Sequence, residues 1–380
     1  MQILRVPSRP RPLLGRLLAL GITLSFAAGC GSPASPAPTT SSPSSLPSAT
    51  QTPAASAPTP PSAPAPSPTT IALSQSPALG GERLTVLLVG LDHTTEREFS
   101  ELTDTLIVAS LDPVASTVSL LGLPRDLTDF PLPGGATYRQ KLNSVYAEIR
   151  ANPGRFGGAA GDEPYDVLAG VVSNLIDVPI DHWAAIDMDG FAGMVDELGG
   201  VDAYVANPIC DPGYRQLGLR GFEAPAGWWH LSGPQALGLA RVRHDAGGSD
   251  FQRLRRQLNL LTQIRDAIVA AGATDDPLGW LAKVPSIRTD LAPETIVAAA
   301  GIAGGVSPGR IHSRLVQPFG SGGTEAYDDR GYVLSANLDE IREIASLLFS
   351  DVGTRPTTGR QEAPPDKPAT LPELPRFNGC

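Results

Sequence analysis

Cysteine, lysine and long apolar runs are scarce in this chain of 380 residues. Its three cysteines, Cys30, Cys210 and Cys380, give neither a disulfide framework nor the spacing of a metal site. A Cys210–Cys380 bridge is compatible with an oxidising compartment, and no spacing calls for it. The apolar run near the start, Leu17 to Ala28, is shorter than the ~20 residues a membrane span needs. Only three of the 29 basic residues are lysines: Lys141, Lys283 and Lys367. Acids outnumber bases and the formal charge is -10, which argues against nucleic acid as a partner.

What is present divides the chain. Residues 1–16 hold Arg5, Arg9, Arg11 and Arg16 and no acid, and the short apolar run ends in Ala27-Ala28-Gly29-Cys30. A basic start, an apolar core and small residues make 1–29 a signal peptide. The cysteine directly after small residues resembles the bacterial lipobox, which implies a lipid on Cys30 and an anchor at the cytoplasmic membrane; an uncleaved anchor helix is the alternative. From there to residue 80 the chain is Ser, Pro, Thr and Ala without a charged residue, too poor in apolar bulk for a core. Residues 30–80 are therefore expected to be a tether, 81–351 the folded body and 352–380 a disordered tail rich in Pro, Thr and charge. The export signal adds to the case against nucleic acid.

Positive charge is concentrated against the global balance in Arg241–Gln257, five arginines in seventeen residues. Leu239–His244 reads as a strand, so Arg241 and Arg243 share a face. Gly247 and Gly248 break it, and Asp250 is placed to cap a helix. Phe251, Leu254, Leu258, Leu261, Ile264 and Ile268 give that helix one apolar stripe. Arg253 and Gln257 flank it, while Arg255 and Arg256 turn further toward solvent. Arginine forks suit the paired oxygens of phosphate.

Upstream, Leu84–Val89, Thr105–Leu111 and Thr117–Leu123 read as strands, with Asp112-Pro113 as the hairpin turn between the last two. Pairing sets Asp104, at the start of one strand, beside Arg125, just past the end of the next. A first strand parallel to the third brings Asp92 to the same sheet edge. Two carboxylates beside phosphate-binding arginines suit Mg²⁺ or Mn²⁺, whose shell substrate phosphates complete. Lys141 adds a compact positive charge.

Further on, Tyr165–Leu175 reads as a helix, Trp183–Met188 as a strand, Phe191–Leu198 as a helix and Val201–Val205 as a strand. Asn207–Trp229 is rich in Gly and Pro and reads as a long loop. Ser232-Gly-Pro234-Gln235 has capping-box form. Ile296–Gly305 and Leu338–Phe349 read as closing helices. His93 and His244 are assigned no catalytic role.

These pieces together resemble the LytR-CpsA-Psr family of bacterial cell-wall enzymes. The segments that carry the resemblance are Leu88–Asp92, Thr103–Thr105, Leu123–Asp126, Lys141–Asn143, Gly199–Val201 and Leu239–Gln257, with weaker similarity to about Phe349. The resemblance implies an α/β fold with a central mixed sheet flanked by helices and an apolar slot for a polyprenyl chain. Val172, Leu175, Phe191, Val195 and Leu198 are the residues expected along that slot. It also implies an activity: glycan phosphate passes from a polyprenyl-pyrophosphate carrier to a peptidoglycan hydroxyl on the outer face of the membrane. Asp92 and Asp104 look like the family's metal ligands. Arg125, Lys141, Arg241, Arg243, Arg253 and Gln257 look like its pyrophosphate contacts, with Arg125, Asp104 and Asp92 the catalytic set. Asp126 and a metal carboxylate are both candidates for a base that deprotonates the acceptor hydroxyl, and the sequence does not choose between them. Leu102 departs from the family, whose members often carry arginine there. The other readings are a non-catalytic binding lipoprotein, a pyrophosphatase acting on the same lipid and, least supported, a transcriptional regulator.

Overall fold

Alternation of apolar residues drives the first three strands: β1 (Leu84–Leu91), β2 (Thr103–Asp112) and β3 (Thr117–Leu123). The computed structural model describes residues 79–94, 101–243, 249–318, 322–350 and 364–380. Cys30, the signal peptide and nearly all of the tether lie outside them, as do His244, Gly247, Gly248 and residues 351–363. Short strands β4 (Leu127–Thr128), β5 (Phe130–Pro131) and β6 (Thr137–Tyr138) lead to α1 (Val145–Ala151) and α2 (Pro164–Ile176). Then come β7 (His182–Ile186), α3 (Met188–Glu197), β8 (Val201–Val205), β9 (Ile209–Gln216), β10 (Leu219–Ala224) and β11 (Gly227–Leu231). Next are α4 (Gly233–Arg241), the long α5 (Asp250–Ala270), α6 (Pro277–Leu281), β12 (Arg288–Thr289) and α7 (Pro293–Gly305). The chain continues through β13 (Ile311–Leu315), β14 (Gln317–Pro318), β15 (Gly322–Asp328), β16 (Gly331–Ala336) and α8 (Leu338–Phe349).

The central sheet is mixed, in the order β12-β7-β1-β2-β3-β13. β2 is antiparallel to β1 and β3, while β7 runs parallel to β1 and β13 parallel to β3. The turn between β2 and β3 is set by Asp112, whose Oδ1 accepts from the Ala115 amide at 2.7 Å. Period-two alternation sends Leu87, Val89, Leu106, Val108, Leu121 and Leu123 to one face, where α1, α2 and α8 cover them. Leu88, Ile107 and Leu120 go to the other face, against Leu254 and Leu258 of α5. Gly122 lies on that second face, and a Cβ there would stand 3.1 Å from the Leu254 side chain. The missing side chain lets α5 lie close on the sheet.

A second apolar cluster joins α3, α4 and β8–β11 to Leu260 and Ile264 of α5. The expected loop over Asn207–Trp229 is a hairpin of β9 and β10 followed by β11. Leu217 and Gly218 both take positive φ, 45° and 81°, as a two-residue hairpin turn requires. The glycines and prolines that suggested a loop are hairpin punctuation.

The tail expected to be disordered is also corrected for residues 364–380. Cys380 is disulfide-bonded to Cys210 on β9. Between them, Pro372 O accepts from the His230 amide at 2.9 Å, and Leu374 is buried in the second cluster. A buried leucine, a covalent tie and hydrogen bonds to β11 and α4 hold a segment whose composition alone argues for disorder.

Candidate functional site: an ionic cluster on the wall of an apolar cavity

Asp104 owes its placement to a break in register. Gly90 pairs with Thr105, but Leu91 pairs with Thr103, so Asp104 is the extra residue of a β-bulge. A bulge re-aims the side chain it carries. A Cβ on Gly90 would approach Thr105 Cβ to 2.9 Å, so glycine permits the close pairing just before the irregularity. Immediately past β1, the Asp92 amide donates to Leu102 O at 2.8 Å, which ties the first acid to the start of the strand that bears the second.

Arg125 follows β3, and its Nη1 donates to Asp104 Oδ1 at 2.8 Å, the neighbour relation expected from the hairpin. Arg241 reaches the same sheet end from α4, with Nη1 2.9 Å from Asp92 Oδ1. Arg253, on α5, donates from Nη2 to the Asp104 backbone oxygen at 3.3 Å and lies 2.9 Å from Asp250 Oδ1. That same Asp250 oxygen is 3.3 Å from Arg125 Nε. Lys141 Nζ meets Asp126 Oδ1 at 2.7 Å, and Arg125 Nε is 3.6 Å from the other Asp126 oxygen. Asp92, Asp104, Asp126 and Asp250 thus face Arg125, Arg241, Arg253 and Lys141. Among the described residues these pairs set four acids against four bases.

Burial sharpens this electrostatics. It works against charge on Asp104, yet Arg125, Arg253 and Arg241 outweigh it and hold that carboxyl below the usual carboxylate range. At Asp250 burial prevails over Arg253 and Arg125 and pushes the carboxyl up. Arg253 is 3% exposed, and burial lowers its pKa. For Arg125 burial acts in the same sense, but the paired Asp104 carries it above the ordinary arginine value.

An apolar cavity of about 260 Å³ adjoins the cluster. Leu88, Ile107, Phe191, Leu237, Leu261 and Ile264 line it, and Asp104, Arg241, Arg253 and Gln257 share its wall. Gln257 Nε2 is tied to Ala240 O at 3.0 Å, while its buried Oε1 makes no hydrogen bond among the described residues.

Several expectations change. Leu239–His244 is not a strand: α4 runs through Arg241, with Val242 as its C-cap. The Ser232/Gln235 capping box and an early proline start a helix that overrides the short alternation at its end. Arg241 and Arg243 therefore do not share a strand face; Arg243 stands half-buried two residues past the helix, beside the undescribed 244–248. Ser249, not Asp250, caps α5, its hydroxyl accepting from the Gln252 amide at 3.2 Å. Asp250 is thereby free to hold two arginines. Arg255 is exposed as expected, but Arg256 is half-buried and donates to Leu239 O at 3.1 Å and also to Val242 O, closing the end of α4. Of the five residues expected along the slot, only Phe191 lines the cavity. Val172 and Leu175 pack on the opposite sheet face, and Val195 and Leu198 in the second cluster.

Asp250 was missed as a site residue; its signal was its place three residues before Arg253, one helical turn away. Among the described residues no group of three or more His, Cys, Asp or Glu side chains is arranged to hold a metal ion.

Fold and site together define an α/β protein in which a balanced ionic cluster shares the wall of an apolar cavity. The sequence model of the LytR_cpsA_psr family matches residues 51–322, and the chain belongs to that family. It is 32% identical over 212 residues to the polyisoprenyl-teichoic acid–peptidoglycan teichoic acid transferase TagU of Halalkalibacterium halodurans, covering 54% of this chain and 60% of TagU. It is 28% identical over 280 residues to the corresponding transferase TagV of Bacillus subtilis, covering 72% of this chain and 66% of TagV. The chain thus spans less than two thirds of the length of either relative. The crystal structure of B. subtilis TagV has the same fold, with a TM-score of 0.55 and 23% identity over 70% of this chain and 96% of that one.

Proposed function

We propose that this chain transfers a glycan phosphate from a polyprenyl-pyrophosphate carrier to a peptidoglycan hydroxyl, releasing polyprenyl phosphate. It would act at the outer face of the cytoplasmic membrane, lipid-anchored through Cys30. The observation that carries this reading is the union of two chemistries on one wall. The cavity offers apolar surface for a lipid chain, Arg241 and Arg253 on its wall offer forks for phosphate oxygens, and Arg125 adjoins them through Asp104. The two relatives named as teichoic acid transferases support the same substrate class.

In this reading the acceptor oxygen forms a bond to the glycan-bearing phosphorus. The bond from that phosphorus to the bridging oxygen breaks, and polyprenyl phosphate leaves with the electron pair. The acceptor proton passes to a carboxylate of the cluster. Arg253 is buried and preorganised, so it stabilises charge on the diphosphate with little rearrangement. Gln257 Oε1, which has no hydrogen-bond partner among the described residues, accepts from a substrate hydroxyl or water.

The donor set fits Mg²⁺ or Mn²⁺ held by Asp92 and Asp104. Two hard oxygen ligands at one sheet end leave positions for phosphate oxygens and water. The bound cation would supply electrophilic stabilisation of phosphoryl oxygens. With Asp92 and Asp104 engaged, Arg241 and Arg125 would turn their forks to the substrate.

The test is product analysis with lipid-diphosphate glycan, peptidoglycan fragments and Mg²⁺. The expected result is peptidoglycan-linked glycan phosphate with an equal amount of polyprenyl phosphate, and a loss of about 100-fold or more in Arg125→Ala and Asp104→Ala. Wild type that makes no product, with both variants behaving identically, would remove the reading.

A further inference from the structure

Asn143 is 7% exposed and sits in a single 3-10 turn, Leu142–Ser144, just before α1. Hydrogen bonds fix that turn. The Ser144 amide and hydroxyl both donate to Lys141 O, at 3.0 and 2.8 Å, and the hydroxyl of the fully buried Tyr138 is 2.7 Å from the same Ser144 oxygen. From this fixed position Asn143 makes three contacts with the site. Its main-chain amide donates to Arg125 O at 3.1 Å. Its carbonyl accepts from the hydroxyl of fully buried Thr103 at 3.3 Å. Its side-chain Nδ2 donates to Asp104 Oδ1 at 3.5 Å. One residue therefore grips the bulged Asp104, the residue before it and the arginine that pairs with it.

Two of these contacts are made by the main chain, so the side chain is left with the carboxylate. Its chemistry suits that place. A carboxylate here would repel Asp104, and a cationic side chain would neutralise it and compete with a metal ion. An amide donates without carrying charge. Two side-chain donors converge on Asp104 Oδ1: Arg125 Nη1 at 2.8 Å and Asn143 Nδ2. The second distance is long for a hydrogen bond, as expected while the arginine holds the same oxygen more closely. When Arg125 turns its fork to a diphosphate, its bond to Oδ1 is given up. Asn143 has no charge for phosphate to attract and stays with its turn, so its donor remains. A carboxylate that binds metal needs such an outer hydrogen bond to keep its orientation.

We propose that Asn143 is a positioning residue: its side-chain amide keeps the Asp104 carboxylate oriented toward a divalent cation once Arg125 engages the substrate. The inference rests on the transfer reading above, in which Asp92 and Asp104 hold Mg²⁺ or Mn²⁺.

The test titrates Mn²⁺ into the full chain and reads its affinity from the electron paramagnetic resonance signal of the free ion. The unfolding midpoint and the Mg²⁺ dependence of transfer are measured alongside. Asn143→Ala and Asn143→Ser are compared with wild type. Both keep the main-chain bonds to Arg125 and Thr103, and serine retains a polar group that is too short to reach Asp104. Each variant is expected to bind Mn²⁺ about 10- to 100-fold more weakly, the usual effect of losing an outer hydrogen bond to a metal ligand. The Mg²⁺ concentration for half-maximal transfer should rise in parallel, while KM for the lipid-diphosphate glycan at saturating Mg²⁺ stays as in wild type. A merely structural residue would lower the unfolding midpoint and leave the Mn²⁺ affinity of the folded protein unchanged. Undiminished Mn²⁺ affinity in either folded variant, whatever its midpoint, overturns the inference. Wild type that binds no Mn²⁺ removes the metal reading of Asp92 and Asp104 and this inference with it. Wild type that binds Mn²⁺ but transfers nothing counts against the transfer reading instead.

Discussion

Asp250 lies one helical turn before Arg253 and holds its Nη2 at 2.9 Å, while the same oxygen stands 3.3 Å from Arg125 Nε. A single carboxylate therefore occupies the space between two guanidiniums that come from different layers of the fold. Without it, two like charges would face each other in a largely buried setting.

Asp250→Ala is expected to destabilise the protein by about 3–5 kcal/mol, the usual cost of stripping one partner from a buried ion pair. Denaturant unfolding measures this. Inorganic pyrophosphate should recover part of the loss, since an anion can take the place of the carboxylate between the guanidiniums. A midpoint unchanged from wild type would show that Asp250 does not hold the pair.

The close approach of α5 to the sheet gives a second prediction. Gly122→Val would drive a side chain into Leu254, and overpacking of this kind costs about 1–3 kcal/mol. Because α5 carries Arg253 and Gln257, transfer activity should fall with it. Normal activity with normal stability would mean that the helix position is not set by this contact.

His230 gives a pH dependence. Its Nδ1 is 2.7 Å from Asp202, and that pairing, opposed by burial and aided by Gly199 O, raises its pKa above the ordinary histidine value. The folded state thus holds the proton more tightly than the unfolded chain. The stabilisation is fully present below about 6.5, the unfolded value, and is lost as pH rises through the folded pKa. Melting temperature should fall over that interval in wild type, and the fall should shrink in His230→Gln. Parallel profiles for the two proteins would refute it.

The bridge between Cys210 and Cys380 ties the tail to β9. Cys380→Ser should cost about 2–5 kcal/mol and raise proteolysis of the tail. Mass spectrometry of digests with and without reductant checks both the bond and the release.

Much of this was legible in the sequence where local signals agreed. Two alternating strands joined at Asp112-Pro113 fix the pairing that sets Asp104 against Arg125. The amphipathic period of α5 places Arg253 and Gln257 on one rim, and the structure brings both to the cavity. The reading failed where tertiary context decided. Arg241 and Arg243 alternate as strand residues would, but the capping box upstream keeps the chain helical through Arg241. The β9–β10 hairpin hides in Gly- and Pro-rich sequence because its turn needs positive φ at Leu217 and Gly218, which composition does not distinguish from a loop. The tail is ordered by a bridge between residues 170 apart, beyond the reach of any local pattern. The bulge at Asp104 is a matter of register with a partner strand, so no single segment announces it.

The most direct test of the central claim is the affinity of the protein for a sugar-free polyprenyl diphosphate, measured by calorimetry with and without Mg²⁺. The account predicts binding that strengthens with Mg²⁺ and weakens by at least about ten-fold in each of Arg125→Ala, Arg241→Ala and Arg253→Ala, as expected when a charged contact is lost. Asp92→Ala and Asp104→Ala should abolish the Mg²⁺ dependence. Undiminished binding in all five variants would contradict it, because the diphosphate would then sit elsewhere on the molecule.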